Sequence, residues 1–116
     1  MTEERPWGKY EILYEDETCK IKKITVHPKQ KLSYQLHKQR RELWTVVEGK
    51  GVATLEGLTT DLFPGKSISI PKETKHRIQN DEDQNLIFIE IQTGTYFGED
   101  DIVRFEDDYG RVEKND

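Results

Sequence analysis

Short apolar runs, bounded at nearly every join by turn residues, recur along this chain and leave little room for helices. They read as strands over Trp7 to Tyr14, Lys20 to Val26, Leu32 to His37, Glu42 to Val47, Val52 to Leu55, Thr59 to Phe63, Ser67 to Ile70, His76 to Gln79 and Leu86 to Gln92. The joins Glu48-Gly49-Lys50-Gly51, Glu56-Gly57, Pro64-Gly65 and Asn80-Asp81-Glu82-Asp83 carry the residue types that tight turns need. Tyr34 to Trp44 comes nearest to a 3.6-residue apolar period and is broken by Lys38-Gln39-Arg40-Arg41. The expectation is an all-β sandwich or barrel with little or no long helix.

A length of 116 residues suits one compact domain spanning 1–116. Its end, Arg111 to Asp116, has no apolar anchor after Val112 and is expected to be a disordered tail. Charged residues make up 35% and hydrophobic ones 33%, a balance compatible with disorder if diluted evenly, but the apolar residues gather in runs and so favour a folded sheet. Eighteen basic residues against 23 acidic ones give a net charge of −5 with no basic block, so no nucleic-acid partner is expected. The apolar runs are too short to span a bilayer as helices, and MTEERPWGKY lacks the apolar core of a secretory signal. No membrane association and a cytoplasmic location are expected. Cys19 is alone and reads as a packed strand residue.

Four residues stand out for their chemistry. Gln35 and His37 are two apart in an extended run, which turns both side chains to one face of a sheet. Glu42 follows across a turn at Lys38 to Arg41, and His76 follows the proline turn Pro71-Lys72-Glu73-Thr74-Lys75. Each alone is an ordinary hydrogen-bonding residue; jointly they form a candidate metal set. Two imidazoles, a carboxylate and an amide oxygen suit one divalent ion, with Zn, Mn, Fe, Co and Ni left open.

The spacing resembles the cupin family, a double-stranded β-helix or jelly-roll barrel. The first motif runs Gln35-x-His37-x4-Glu42-x6-Gly49 and the second Gly65-x5-Pro71-x4-His76-x3-Asn80. The chain departs from the usual cupin pattern at Gln35, where histidine is commonest, and at Lys29 and Glu73, where glycines are usual. Further strings resemble cupin-type mannose-6-phosphate isomerases, specifically the C-terminal domain of the bifunctional mannose-1-phosphate guanylyltransferase/mannose-6-phosphate isomerase. They are Arg5-Pro6-Trp7-Gly8-x-Tyr10-Glu11, Leu32-Ser33-x-Gln35-x-His37-x2-Arg40-x-Glu42-x-Trp44, and Gly94-x-Tyr96-x-Gly98-Glu99-Asp100-Asp101-Ile102-Val103-Arg104 leading to Asp108-Tyr109-Gly110-Arg111. No glycine-rich nucleotide-binding segment precedes Arg5, so nucleotidyl transfer is not expected.

The resemblance implies interconversion of mannose 6-phosphate and fructose 6-phosphate through an enediolate, in carbohydrate metabolism and polysaccharide biosynthesis. A divalent ion on Gln35, His37, Glu42 and His76 would act as the Lewis acid. Arg104 is the first choice for a catalytic and substrate-binding cation and Arg40 the second for binding, because the guanidinium fork matches phosphate oxygens. Glu99, Asp101, Lys72 and Lys75 are open as the proton-transferring base. Arg5 and Arg111 read as structural, His27 as a surface residue outside the site, and Trp7, Trp44, Tyr34, Tyr96 and Phe97 as core or interface. Two rival readings stay open: a non-catalytic cupin that binds a phosphosugar or sugar nucleotide, and another cupin enzyme such as a dioxygenase or sugar epimerase. A small-molecule phosphosugar is the expected partner, together with a second copy paired through sheet edges as a homodimer.

Overall fold

A computed structural model describes residues 2–107 and residue 109. Eleven strands follow one another: β1 (Thr2–Arg5), β2 (Gly8–Glu15), β3 (Cys19–Val26), β4 (Tyr34–Leu36), β5 (Arg40–Glu48), β6 (Gly51–Leu55), β7 (Leu58–Leu62), β8 (Ser67–Ile70), β9 (His76–Gln79), β10 (Leu86–Gly94) and β11 (Val103–Glu106). They form a six-stranded sheet ordered β1-β2-β3-β10-β5-β8 and a five-stranded sheet ordered β11-β4-β9-β6-β7, with antiparallel pairing throughout. Among the described residues no helix is long and apolar enough to cross a membrane. The expected tail, Arg111 to Asp116, lies outside the described residues.

The core follows from the two-residue period of a strand. In β10, Leu86 and Phe88 point inward and are fully buried, while Ile87, Ile89 and Ile91 are only half-buried on the other face. Ile24, Val26, Trp44, Val46, Ala53, Ile70 and Ile78 complete the apolar layer between the sheets. Parity then carries polar residues inward where β3, β5 and β10 continue past that layer. Lys20 and Lys22 share a face with Ile24, Glu42 with Trp44, and Glu90 and Gln92 with Phe88, and all are buried. One end of the space between the sheets is therefore polar.

The two strands absent from the sequence reading are explained by their composition. β1 is Thr-Glu-Glu-Arg, with no apolar residue to alternate, and it is an edge strand held by backbone pairing to β2. β11 is four residues long and owes its place to pairing with β4. The turns show where the chain tolerates departures from the cupin glycines. Lys29 and Glu73 adopt the left-handed conformation, with φ of 63° and 60°. Gly49, at the end of the first motif, has φ of 86°, and a Cβ there would lie 2.3 Å from the carbonyl oxygen of Asn85.

Candidate metal centre

β4 and β9 of one sheet and β5 of the other bring the motif residues together. Gln35 pairs with His76 in the β4 and β9 register, and His37 lies just beyond β4. Glu42 enters from β5 on the facing sheet. His37, Glu42 and His76 are all buried, and one ligand atom from each lies within 4.8 Å of the others. His37 Nε2 is 3.3 Å from Glu42 Oε2, and His76 Nε2 is 4.0 Å from Glu42 Oε1.

Backbone carbonyls decide which imidazole nitrogen is available. His37 Nδ1 donates to the Asp101 carbonyl at 2.7 Å, and His76 Nδ1 donates to the Thr74 carbonyl at 2.8 Å. A carbonyl only accepts, so each Nδ1 carries the proton and each Nε2 presents a lone pair. The Asp101 side chain holds the same turn, its two carboxylate oxygens accepting the Lys38 and Gln39 backbone N–H groups at 3.0 Å each. His76 Nε2 is buried and has no hydrogen-bond partner among the described residues. An orphaned lone pair beside a second imidazole and a carboxylate fits a divalent cation.

Gln35 contributes its position more than its orientation. Its Oε1 accepts from Ser33 Oγ at 2.5 Å, and its Nε2 faces His37 Nε2 at 3.4 Å. Serving a metal through oxygen would require the amide to reverse.

Charge in the centre is set by burial and by one arginine. Burial pushes the His37 imidazole down to about 4 and lowers that of His76, so both are neutral at pH 7. Burial works against the charge of Glu42, yet the Arg40 guanidinium holds its carboxyl well below the usual carboxylate range. Arg40 is not a solvated turn residue: it is 5% exposed, with Nε and Nη2 both 2.9 Å from Glu42 Oε2 and Nη2 3.2 Å from His37 Nε2. Its Nη1 is buried without a partner among the described residues. Trp44 Nε1 bridges Glu42 Oε1 at 2.9 Å and Glu90 Oε1 at 3.2 Å. Burial and the neighbouring Glu42 push the Glu90 carboxyl up to about 8, so one of this buried pair keeps its proton.

Beside the centre lies a narrow cleft of about 60 Å³, lined by Gln35, His37, Arg40 and Arg104 together with Lys22, Glu90 and Glu99. Arg104 reaches it because β11 pairs Arg104 with Gln35. Arg5 borders the cleft and donates to Tyr10 Oη at 3.2 Å. Glu99 also lines it, whereas Asp101 acts on His37 and its turn. Lys72 is exposed, and Lys75 lies over the Phe105 ring at 4.6 Å. His27 is exposed, and Arg111 lies outside the described residues. Lys22 and Glu90 escaped the sequence reading, although their parity with Ile24 and Phe88 was a signal that they face inward.

Comparison with known proteins places this arrangement. A mannose-1-phosphate guanylyltransferase, ManC, of Salmonella typhimurium is 44% identical over 108 residues, covering 93% of this chain and 22% of the relative. The alginate biosynthesis protein AlgA of Pseudomonas aeruginosa is 43% identical over 108 residues, again covering 93% of this chain and 22% of the relative. The chain thus spans less than a quarter of the length of these curated relatives. A Klebsiella pneumoniae protein with a double-stranded β-helix domain superposes with a TM-score of 0.72 at 20% identity, covering 82% of this chain and 81% of that one, so the cupin fold is shared. Residues 1–107 match the family described as mannose-6-phosphate isomerase C-terminal, and the chain belongs to that family.

Proposed function

We propose that this chain is a metal-dependent mannose-6-phosphate isomerase, moving a proton between C2 and C1 of the sugar through an enediolate. One observation carries the reading. His37 and His76, each tied through Nδ1, turn their Nε2 lone pairs to a charged Glu42 beside a cleft bordered by Arg40 and Arg104.

His37, Glu42 and His76 would hold the ion, with Gln35 as a fourth ligand once its amide reverses. A divalent ion bound there supplies Lewis-acid polarisation of the sugar carbonyl and its neighbouring hydroxyl. Asp101 and Thr74 keep the imidazoles in the ligating tautomer, and the Trp44 indole N–H fixes one oxygen of Glu42. Arg104 and Arg40 supply guanidinium donors for an anionic sugar, and the apolar wall of the cleft, including Trp7 and Ile24, limits water around it.

One contact favours a second reading, a phosphosugar-binding module without turnover: Arg40 Nη2 lies within hydrogen-bond distance of both His37 and Glu42, the groups a metal would use. The test is conversion of mannose 6-phosphate to fructose 6-phosphate by chelator-stripped protein reloaded with Zn, Mn, Fe, Co or Ni in turn. Turnover that needs the metal and vanishes in the His37→Ala/His76→Ala variant supports the isomerase. A folded, metal-loaded protein without turnover supports the binding module.

A further inference from the structure

The loop between β10 and β11, residues 95–102, sends one carboxylate into the cleft. Glu99 Oε2 is 2.6 Å from Lys22 Nζ and 3.5 Å from Lys20 Nζ. The lysine side chains are 4% and 8% exposed, whereas that of Glu99 is 44% exposed. Two buried cations on a strand thus share a single carboxylate carried on a loop that solvent reaches. Lys22 Nζ also lies 4.0 Å from the centre of the Tyr10 ring, so its ammonium is fixed from two sides.

We propose that the Glu99 carboxylate occupies the seat of the substrate's phosphate, a site formed by Lys22, Lys20 and Arg40, and leaves it when a phosphate monoester enters. The inference rests on the phosphosugar reading above and locates the phosphate within the cleft. Four observations support it. Lys22, Glu99 and Arg40 line the same cleft as His37 and Gln35, so one molecule can reach both Lys22 and the candidate metal ligands. Arg40 is 5% exposed and its Nη1 has no partner among the described residues, leaving a buried donor for a further acceptor. The cleft, at about 60 Å³, has room for only a few waters, so a hexose phosphate requires part of the present lining to move. Among the acids there, Glu99 is the one carried on a loop and substantially exposed, while Glu90 is held within β10. A phosphate dianion has the charge for both lysines, where a carboxylate has the charge for one.

The exchange involves no covalent chemistry and is read without turnover. Binding of inorganic phosphate and of mannose 6-phosphate is measured by titration calorimetry and by thermal denaturation in wild type, Glu99→Gln and Lys22→Met. Glu99→Gln removes the competing charge while keeping the side-chain shape. Its affinity for both ligands should rise at least tenfold, and phosphate should raise its Tm more than it raises that of wild type. Lys22→Met, if folded, should bind at least tenfold more weakly. Equal affinity and equal phosphate-induced Tm shift in wild type and Glu99→Gln would overturn the proposal, as would undiminished binding by a folded Lys22→Met. Glu99→Gln alone decides the matter if Lys22→Met does not fold. The two readings separate cleanly: the expected binding pattern without turnover leaves the phosphate seat standing and removes the isomerase. Turnover with phosphate affinity insensitive to Glu99→Gln does the reverse.

Discussion

Glu90→Gln tests the electrostatics of the centre most directly. Glu90 is 5% exposed, accepts from Trp44 Nε1 at 3.2 Å and from Gln92 Nε2 at 2.7 Å, and burial with Glu42 raises its carboxyl from 4.5 to about 8. Because the folded value lies above the unfolded one, the stabilisation is complete below pH 4.5 and is lost as pH rises through 8. Between those limits the unfolded chain releases a proton that the folded chain keeps, and stability falls by about 1.4 kcal/mol per pH unit. His37 has the opposite sign: lowered from 6.5 to about 4, it contributes stability above pH 6.5 that is lost as pH falls through 4. Wild type and Glu90→Gln share the histidine contribution, so their difference isolates Glu90. Integrated from pH 6 to 8, with the slope easing at the upper end, metal-free wild type should lose about 2 kcal/mol relative to Glu90→Gln. Urea denaturation in the presence of chelator, with a common m-value, measures it. Parallel stability profiles for the two proteins over that range would refute the assignment of the buried proton to Glu90.

Two further outcomes follow from the turns around the site. Asp101→Asn replaces one of the two oxygens that receive the Lys38 and Gln39 N–H groups with a donor, and should cost about 1–3 kcal/mol in chemical denaturation. By loosening the carbonyl that orients His37 it should also weaken Zn binding about tenfold or more in calorimetry; unchanged affinity would sever that link. Glu73→Gly relieves a left-handed residue at φ 60°, and even after the larger unfolded-state entropy of glycine should stabilise by about 0.5–1 kcal/mol, read as a higher Tm. A lower Tm would mean that the Glu73 side chain holds the turn.

The sheet architecture was legible because period-2 alternation and turn residues are local properties. Ser67 to Ile70 and His76 to Gln79 are strands with the expected ends, and the ends of the others move by at most two residues, Leu32 to His37 contracting to Tyr34–Leu36. Lys29 and Glu73, the departures from the cupin glycines, take the positive φ that glycine favours, so the backbone keeps its shape where the residue type does not. β1 was illegible because its pairing with β2 is made by backbone groups, which the run of side chains in Thr2–Arg5 does not report.

By itself the sequence determined an all-β fold, the candidate set Gln35, His37, Glu42 and His76, and the strings that mark the family. Tertiary structure alone decided the rest of the cleft. Asp101 and Thr74 choose the histidine tautomers, Arg40 turns inward to Glu42, and Glu99 crosses from one loop to lysines 77 and 79 residues away. Glu42 and Glu90 meet only because β5 and β10 are neighbours, with Trp44 opposite Glu90. Strand parity says that a charged residue faces inward. Which opposite charge it meets, and so which of two buried carboxyls keeps its proton, depends on the register between strands far apart in the chain.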